Sequence, residues 1–235
     1  WKEIFGSGFL VLIPVILTML QPDLGSAAIL IGLWGVMLFF AGLRWIHAGA
    51  LIGGAALMGV LGWFFLLADY QKQRLEVFLN PELDPLETGY NITQAKIAIG
   101  SGGFFGRGLG FGSQSQLQFL PESQTDFIFS VIAEELGFFG VCILFIAILL
   151  VLWRILRSAR LARDHFSNFL ILGIFGLFVV QYIVNIGVNL SLLPATGIAL
   201  PFVSSGGTSL LISLGIIGIL QSIAVRRRPG DEKIT

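Results

Sequence analysis

Apolar stretches without a charged residue alternate with short charged segments along most of the chain. A helix that crosses a bilayer needs about 20 largely apolar residues. Stretches of this kind occupy residues 25–43, 48–68, 136–153, 169–193 and 208–225. A shorter stretch, residues 5–20, contains Pro14 and completes the set. The pattern predicts an all-α, polytopic bundle with about six transmembrane spans.

The composition agrees with a membrane protein. Hydrophobic residues make up 55% of the chain and charged residues 12%, whereas a soluble globular domain carries about 25% charged residues. The formal net charge is zero, so bulk charge says nothing about nucleic acid or acidic partners. We expect membrane lipids among the partners and no nucleic acid. The chain begins with Trp1 rather than Met. We interpret residues 1–235 as a single membrane domain from a longer protein whose N-terminal part is missing.

Basic residues are concentrated in alternate connections between the predicted spans. With the C-terminus in the cytoplasm, ten of the fourteen Lys and Arg residues lie on the cytoplasmic side, as the positive-inside rule requires. Residues 226–235 then form a cytoplasmic basic tail. The opposite side carries a turn at residues 21–25, a long loop at residues 69–126 and an uncharged segment at residues 194–207. We therefore expect any chemistry on the extracytoplasmic side.

The long loop contains a predicted helix followed by a glycine-rich segment. Residues 89–99 alternate apolar and polar positions and predict a short amphipathic helix. Residues 100–112 hold seven glycines in thirteen positions. Such backbone can pack closely at the membrane interface, and its amides could face a lipid-linked phosphate. A flexible interfacial loop is the alternative.

Asp126 stands just before a predicted membrane helix. Thr125 or Asp126 could cap that helix, since a carboxylate at a helix N-terminus is stabilised by about 0.3–1 kcal/mol. Alternatively, a carboxylate held at the membrane edge could take a proton from a hydroxyl group of a lipid-attached substrate. Spacing alone favours the cap.

Polar residues recur at intervals of four in two predicted helices. Ser130 and Glu134 follow Asp126, and Gln181, Asn185 and Asn189 form a second series. Ionisable residues at membrane depth usually face the bundle interior or a wet cavity. The second series is most simply interhelical hydrogen bonding, with the lining of a cavity as the alternative. Together the two faces predict an interior groove.

Motifs across nearly the whole chain resemble the SEDS (shape, elongation, division and sporulation) family. The motifs are Gln21-Pro-Asp-Leu-Gly25, Gln94-Ala-Lys-Ile-Ala-Ile-Gly-Ser-Gly-Gly103, Thr125-Asp-Phe-Ile-Phe129, Ala133-Glu-Glu-Leu-Gly137 and Ser205-Gly-Gly207. Gln21 and Lys96 make the chain more similar to the elongation branch of the family than to the division branch. Gln124 and Ser205 depart from the histidine and tyrosine that the family often has there.

The resemblance implies a fold and an activity. It implies the last six spans of a ten-span fold in the bacterial plasma membrane. It further implies a peptidoglycan glycosyltransferase that polymerises lipid II onto glycan carried by undecaprenyl diphosphate, together with a class B penicillin-binding protein as partner. A lipid II flippase and a scaffold for a partner synthase are the rival functions.

The resemblance also implies roles for individual residues. Asp126 is the expected general base, and Asp23 is expected to orient it or to help hold a divalent cation such as Mg²⁺ or Mn²⁺. Arg107 and Lys96 are the expected cations for the diphosphate. Further substrate contacts are expected from Gln114, Glu122, Ser205 and Gly206, and support is expected from Glu134 and Asn185.

Overall fold

The computed structural model describes residues 2–21, 23–65, 69–84, 88–117, 119–120, 122–160, 162 and 164–225. Within these ranges the chain is helical and contains no strand. The α-helices are α1 (Lys2–Leu20), α2 (Leu24–Phe40), α3 (Trp45–Phe65), α4 (Asp69–Leu79), α5 (Thr88–Gly102), α6 (Ser113–Gln116), α7 (Ile128–Arg160), α8 (His165–Asn189) and α9 (Gly207–Val225). A 3-10 helix occupies Pro81–Leu83. The predicted basic tail, residues 226–235, lies outside the described residues.

The predicted multi-pass helical fold is confirmed. Among the described residues, α1, α3, α7, α8 and α9 are long and apolar enough to cross a membrane, and α2 is a shorter apolar helix. Observed and predicted boundaries differ by a few residues, except at the two ends of α7, which extends further in both directions than the predicted span at residues 136–153. Pro14 lies inside α1 without ending it. The loop helix predicted at residues 89–99 is α5, which extends from Thr88 to Gly102.

The packed centre of the bundle is α8. It contacts α2 on one side and α7 on another, while α5 packs on α7 and α1 on α2. Phe178 and Ile171 of α8 are almost fully buried, in a cluster with Ile155 of α7 and Leu220 of α9. Much of the remaining apolar surface is exposed, including Trp45 and Ile46 of α3. Such a surface suits lipid or further membrane helices.

Helix α7 is broken at Gly137, and the break corrects one sequence-based expectation. Gly137 has φ 65° and ψ −164°, so the helix is two segments, residues 128–136 and 138–160. The second segment is about 34 Å long at 1.5 Å per residue, which by itself suffices for a hydrocarbon core of about 30 Å. The first segment, which carries Glu134, is therefore not needed to cross the membrane. Glu134 was expected at membrane depth, and the break removes that requirement.

Candidate active site

Three connecting segments meet at one end of the bundle, which we call the loop end. It comprises Gln21 and Asp23 before α2, the described part of residues 103–127, and residues 190–206 between α8 and α9. The helices α1 and α8 end there, and α2, α7 and α9 begin there. All the residues predicted to act in catalysis or substrate binding belong to this end or to α5.

The glycine-rich segment fills the break in α7. Arg107 N and Gly108 N donate to the carbonyl oxygens of Glu134 and Glu135, each at 3.0 Å. Beyond the break, Phe138 N and Phe139 N donate to the carbonyl oxygens of Gly103 and Phe104 at 3.0 and 3.1 Å. The break would otherwise leave these backbone groups without helical partners. The close-packing prediction is confirmed, and the amides of Arg107 and Gly108 are already used by α7.

Glycine is required where this segment touches α7. A Cβ on Gly106 would collide with the backbone of Glu135 and Leu136, and a Cβ on Gly137 would collide with the backbone of Gly106 and Phe104. Both residues also have positive φ, at 80° and 65°. Two backbones therefore lie in direct contact here, which only glycine permits.

Glu134 holds the start of α6. Its side chain is fully buried, and its Oε1 accepts hydrogen bonds from Gln114 N at 3.0 Å and Ser113 Oγ at 3.3 Å. Its Oε2 accepts one from Ser115 N at 3.3 Å. The first N–H groups of a helix have no partner within the helix, and a carboxylate placed there accepts hydrogen bonds from them. Glu134 thus holds the start of α6 in place, and Gln114 contacts it through its backbone.

Two buried asparagines of α8 hold the backbone of Asp126. Asn185 Nδ2 and Asn189 Nδ2 donate to the Asp126 carbonyl oxygen at 2.9 and 2.8 Å. Asn185 Nδ2 also donates to the carbonyl oxygen of Ile198 at 2.8 Å. Both asparagines are about 1% exposed or less. Interhelical hydrogen bonding was the simplest prediction for the polar series of α8, and it is confirmed at Asn189, which bonds Ser130 of α7. Asn185 instead bonds backbone between helices. The prediction that these two residues line a groove is wrong, because their side chains are enclosed and paired.

The N-terminus of α7 is capped from α8. Asn189 Oδ1 accepts hydrogen bonds from Ser130 N at 3.1 Å and Ser130 Oγ at 2.6 Å. Thr125 instead donates its hydroxyl group to Glu122 Oε2 at 2.7 Å. The prediction that Thr125 or Asp126 caps this helix is therefore wrong, since the capping side chain comes from 59 residues further along the chain.

The segment before α9 binds the residues just ahead of Asp126. Ser204 Oγ donates to the Thr125 carbonyl oxygen at 2.6 Å. Ser205 donates both its N–H and its hydroxyl group to the Gln124 carbonyl oxygen, each at 2.9 Å. Ser205 and Gly206 thus lie beside the Asp126 segment. Ser205 is exposed and Gly206 half-buried.

The Asp126 carboxylate is fixed in place but not bonded. Burial raises its pKa, and the nearby negative charge of Glu122 raises it further. No described residue donates a hydrogen bond to this carboxylate. Its Oδ2 lies 3.8 Å from where a Cβ on Gly197 would stand. A half-buried carboxylate with a raised pKa and no donor is suited to accept a proton.

Asp23 is the N-cap of α2. Its Oδ1 accepts from Ser26 N at 2.9 Å and its Oδ2 from Ser26 Oγ at 2.5 Å. The hydroxyl bond from Ser26 and then the amide bond hold the pKa of Asp23 below its usual value, and Arg74 of α4 adds a smaller effect. Gly25 packs against the Thr196 carbonyl group, next to the Gly197 that faces Asp126. The two aspartates therefore flank one turn, with both Asp23 oxygens already in use.

The expected cationic residues lie on the surface. Arg107 is exposed, and its Nε donates to the Ser101 carbonyl oxygen at 3.3 Å. Lys96 is exposed on α5. Arg74, which the sequence analysis passed over, is a further cation near Asp23. Its position in an amphipathic segment of the long loop gave no signal of that proximity.

The geometry does not favour a metal ion held by Asp23 and Asp126. Within the described ranges, no group of three or more His, Cys, Asp or Glu side chains is arranged to hold one. Asp23 is committed to Ser26. Asp23 and Asp126 as placed do not fit the expected divalent cation.

Comparison with known proteins identifies related sequences. Residues 1–229 match the sequence family FTSW_RODA_SPOVE, described as cell cycle protein. The chain is 46% identical to "Peptidoglycan glycosyltransferase MrdB" of Escherichia coli (strain K12), over 93% of this chain and 59% of the relative. It is 44% identical to "Probable peptidoglycan glycosyltransferase FtsW" of Trichlorobacter lovleyi, over 94% of this chain and 59% of the relative.

Solved structures share the fold. One, described as a peptidoglycan synthase complex that coordinates polymerization and crosslinking, superposes with a TM-score of 0.77 at 32% identity, over 94% of this chain and 61% of that one. The crystal structure of the Thermus thermophilus rod shape determining protein RodA gives a TM-score of 0.58 at 31% identity, over 91% of this chain and 53% of that one. The chain thus spans about three fifths of the length of the curated relatives.

Proposed function

Because the chain belongs to the FtsW/RodA/SpoVE family, we propose that it is part of a peptidoglycan glycosyltransferase that polymerises lipid II, with Asp126 as general base. One observation carries the assignment of the base. The Asp126 carboxylate has no described hydrogen-bond donor and a raised pKa, while its own backbone is held by two buried asparagines. The names of the relatives supply the reaction class.

The reaction is a substitution at a sugar carbon. The 4-hydroxyl oxygen of the acceptor sugar attacks the anomeric carbon of the glycan carried on undecaprenyl diphosphate. The new glycosidic C–O bond forms, the bond from the anomeric carbon to the diphosphate oxygen breaks, and undecaprenyl diphosphate leaves with the bonding electrons. Asp126 accepts the hydroxyl proton. Such general-base assistance contributes about 10²–10⁴ in rate.

The leaving diphosphate requires positive charge. Arg107 and Lys96 supply it in this proposal, because both are exposed at the loop end or on the adjoining α5. Gln114, Glu122, Ser205 and Gly206 contact the sugars or the peptide. Asp23 positions the turn at Thr196 and Gly197 by starting α2.

The loop end faces the extracytoplasmic side in this proposal, where lipid II is consumed. The distribution of Lys and Arg along the sequence supports that orientation. A class B penicillin-binding protein is the proposed partner, supported by the similar fold found in a complex that coordinates polymerization and crosslinking. We assign the chain to elongation on Gln21 and Lys96, since identities of 46% and 44% do not separate the two kinds of relative.

The proposal is tested by measuring glycan polymerisation from lipid II with the full-length protein and its partner. Asp126→Asn is compared with wild type and with Asp164→Asn, a carboxylate that caps α8 at the opposite end. We expect polymerisation to fall at least 100-fold in Asp126→Asn alone. Equal activity of all three would overturn the base assignment. Transport of lipid II across vesicles without glycan formation would favour a flippase instead.

A further inference from the structure

The backbone carbonyl oxygens of residues 124, 125 and 126 all accept hydrogen bonds from one continuous unit of the chain, residues 185–205. Ser205 binds the Gln124 carbonyl group, Ser204 binds that of Thr125, and Asn185 and Asn189 bind that of Asp126. This unit runs from the last two turns of α8 to the start of α9. The backbone ahead of the carboxylate therefore has little freedom to move relative to α8.

Asn189 has two functions within this unit. Its Nδ2 donates to the Asp126 carbonyl oxygen, while its Oδ1 accepts from the backbone and hydroxyl group of Ser130 in the first turn of α7. One planar amide thus fixes both the residue before the helix and the helix start. Its burial is complete, so water cannot replace either set of bonds.

The contacts of Asn189 with its own helix fix the amide in turn. Its Nδ2 also donates to the carbonyl oxygen of Asn185 at 2.9 Å, which ties it to the other asparagine of the pair. Asn185 extends the unit to Ile198, next to the Gly197 that faces the Asp126 carboxylate. The same amides therefore position the base and the turn opposite it.

We propose that Asn189 is a positioning residue for the transferase reaction, acting by holding the Asp126 backbone against α8 so that the carboxylate stays within reach of the acceptor hydroxyl group. This inference rests on the proposed function of Asp126. A displacement of about 1 Å at a reacting group can cost about 100-fold in rate. Loss of Asn189 should therefore lower kcat far more than it changes KM, since the diphosphate and sugar contacts lie on other residues.

The experiment measures kcat and KM of polymerisation for the full-length protein with its partner. Asn189→Ala is the main variant, and Ser204→Ala is a milder second variant that releases only the Thr125 carbonyl group and Leu200 N. Ile155→Ala is the control for lost stability, because Ile155 is buried in the core of α7 and α8 away from residues 124–126. All proteins are compared at temperatures equally far below their own unfolding midpoints.

We expect kcat to fall at least tenfold in Asn189→Ala, by less in Ser204→Ala, and by less than twofold in Ile155→Ala, with KM within about twofold throughout. A second measurement combines Asn189→Ala with Asp126→Glu. If Asn189 acts through Asp126, the double variant loses less activity than the product of the two single losses.

Equal kcat in Asn189→Ala and Ile155→Ala would overturn the positioning role, as would full multiplicativity in the double variant. Either result leaves Asp126 as the base if Asp126→Asn remains inactive. An active Asp126→Asn would instead overturn the proposed function itself. The two failures are therefore distinguishable.

Discussion

Glu122 lies close enough to Asp126 for its negative charge to raise the pKa of the Asp126 carboxyl group. Glu122 is itself in the left-handed region, with φ 53°, and its side chain is tied to the Thr125 hydroxyl group. The carboxylates of Glu122 and Asp126 are thus held on one turn, residues 122–126. Burial of Asp126 also raises its pKa and is the larger of the two causes.

The pH dependence of polymerisation should report this pair. A general base works only when ionised, so kcat/KM falls as the pH falls through the raised pKa of Asp126. Replacing Glu122 by Gln removes the repulsion, which makes the charged form of Asp126 easier to reach and lowers its pKa. We expect the acidic limb of the kcat/KM profile to move to lower pH in Glu122→Gln. Glu82→Gln, an exposed glutamate of the 3-10 helix, should leave it in place, and an unmoved limb in Glu122→Gln would contradict the coupling.

The substitution Asp126→Asn should raise the stability of the folded protein while it lowers the activity. A carboxyl group whose pKa is raised on folding binds its proton more tightly when folded, so the free energy of unfolding falls as the pH rises between the ordinary and the raised pKa. The amide of Asp126→Asn carries no charge. We expect its apparent Tm in detergent to exceed that of wild type at neutral pH, with the difference vanishing at acidic pH. Asp164→Asn should show no such gain, because the Ser167 amide and hydroxyl bonds lower the pKa of Asp164; a gain there as well would point to a nonspecific effect of charge removal.

The carboxylate of Glu134 should be essential for the order of α6 and of the glycine-rich segment before it. Removing it in Glu134→Ala leaves half-buried donors at Ser113, Gln114 and Ser115 without this acceptor. We expect a loss of about 1–3 kcal/mol, and new sites of limited proteolysis within residues 103–117. Glu135→Ala is the matched control, since its side chain accepts one hydrogen bond, from the Ser115 hydroxyl group. The same cleavage pattern in both variants would contradict the assignment.

The break at Gly137 should tolerate no side chain. Alanine there meets the backbone of Gly106 and Phe104. It must also adopt φ 65° with ψ −164°, a region essentially restricted to glycine that alone costs about 1–3 kcal/mol. Gly215 of α9 has open space where its Cβ would stand, and alanine favours a helix by up to about 1 kcal/mol. We expect a lower apparent Tm for Gly137→Ala and an equal or higher one for Gly215→Ala. A Gly137→Ala protein as stable as wild type would mean that the break is not required.

Two roles of Asp23, capping α2 and supplying a negative charge to the reaction, can be separated by one pair of substitutions. Asn caps helices about as well as Asp, so Asp23→Asn keeps the start of α2 while removing the charge. Asp23→Ala removes the cap and should cost about 1 kcal/mol. If Asp23 only caps, Asp23→Asn retains polymerisation and Tm. A large loss of kcat in Asp23→Asn with unchanged Tm would show instead that its charge takes part in the reaction.

The spans could be predicted from the sequence because each depends on its own composition. An uncharged stretch of about 20 residues has few stable alternatives to a membrane helix, so α1, α2, α3, α8 and α9 are close to their predicted places. The break in α7 was missed because Gly137 does not interrupt the hydrogen-bonded run by itself. It does so together with Gly103 and Gly106, which lie more than 30 residues earlier in the chain.

Only part of the candidate site could be predicted, again because some of its contacts join segments that are distant in the chain. The motif around Asp126 pointed to it as the candidate base, and that role stays a prediction. Glu134 and Asn185 were expected to support the site, and the structure places Asn185 on the Asp126 carbonyl oxygen and Glu134 on the start of α6. Asn189 as the cap of α7 could not be predicted, since capping rules look only at residues next to the helix. Arg74 and Ser204 were likewise missed, because their relevance depends on contacts between distant segments.

A positive φ in the middle of α7 also resets the helical phase. Residues 128–136 and 138–160 do not share one rotational register, so the direction in which Ser130 and Glu134 face is not set by the lipid-facing pattern of the residues after Gly137. The protein thus joins in one helix an apolar segment long enough to cross the membrane and a shorter segment that carries Ser130 and Glu134, each with its own helical phase.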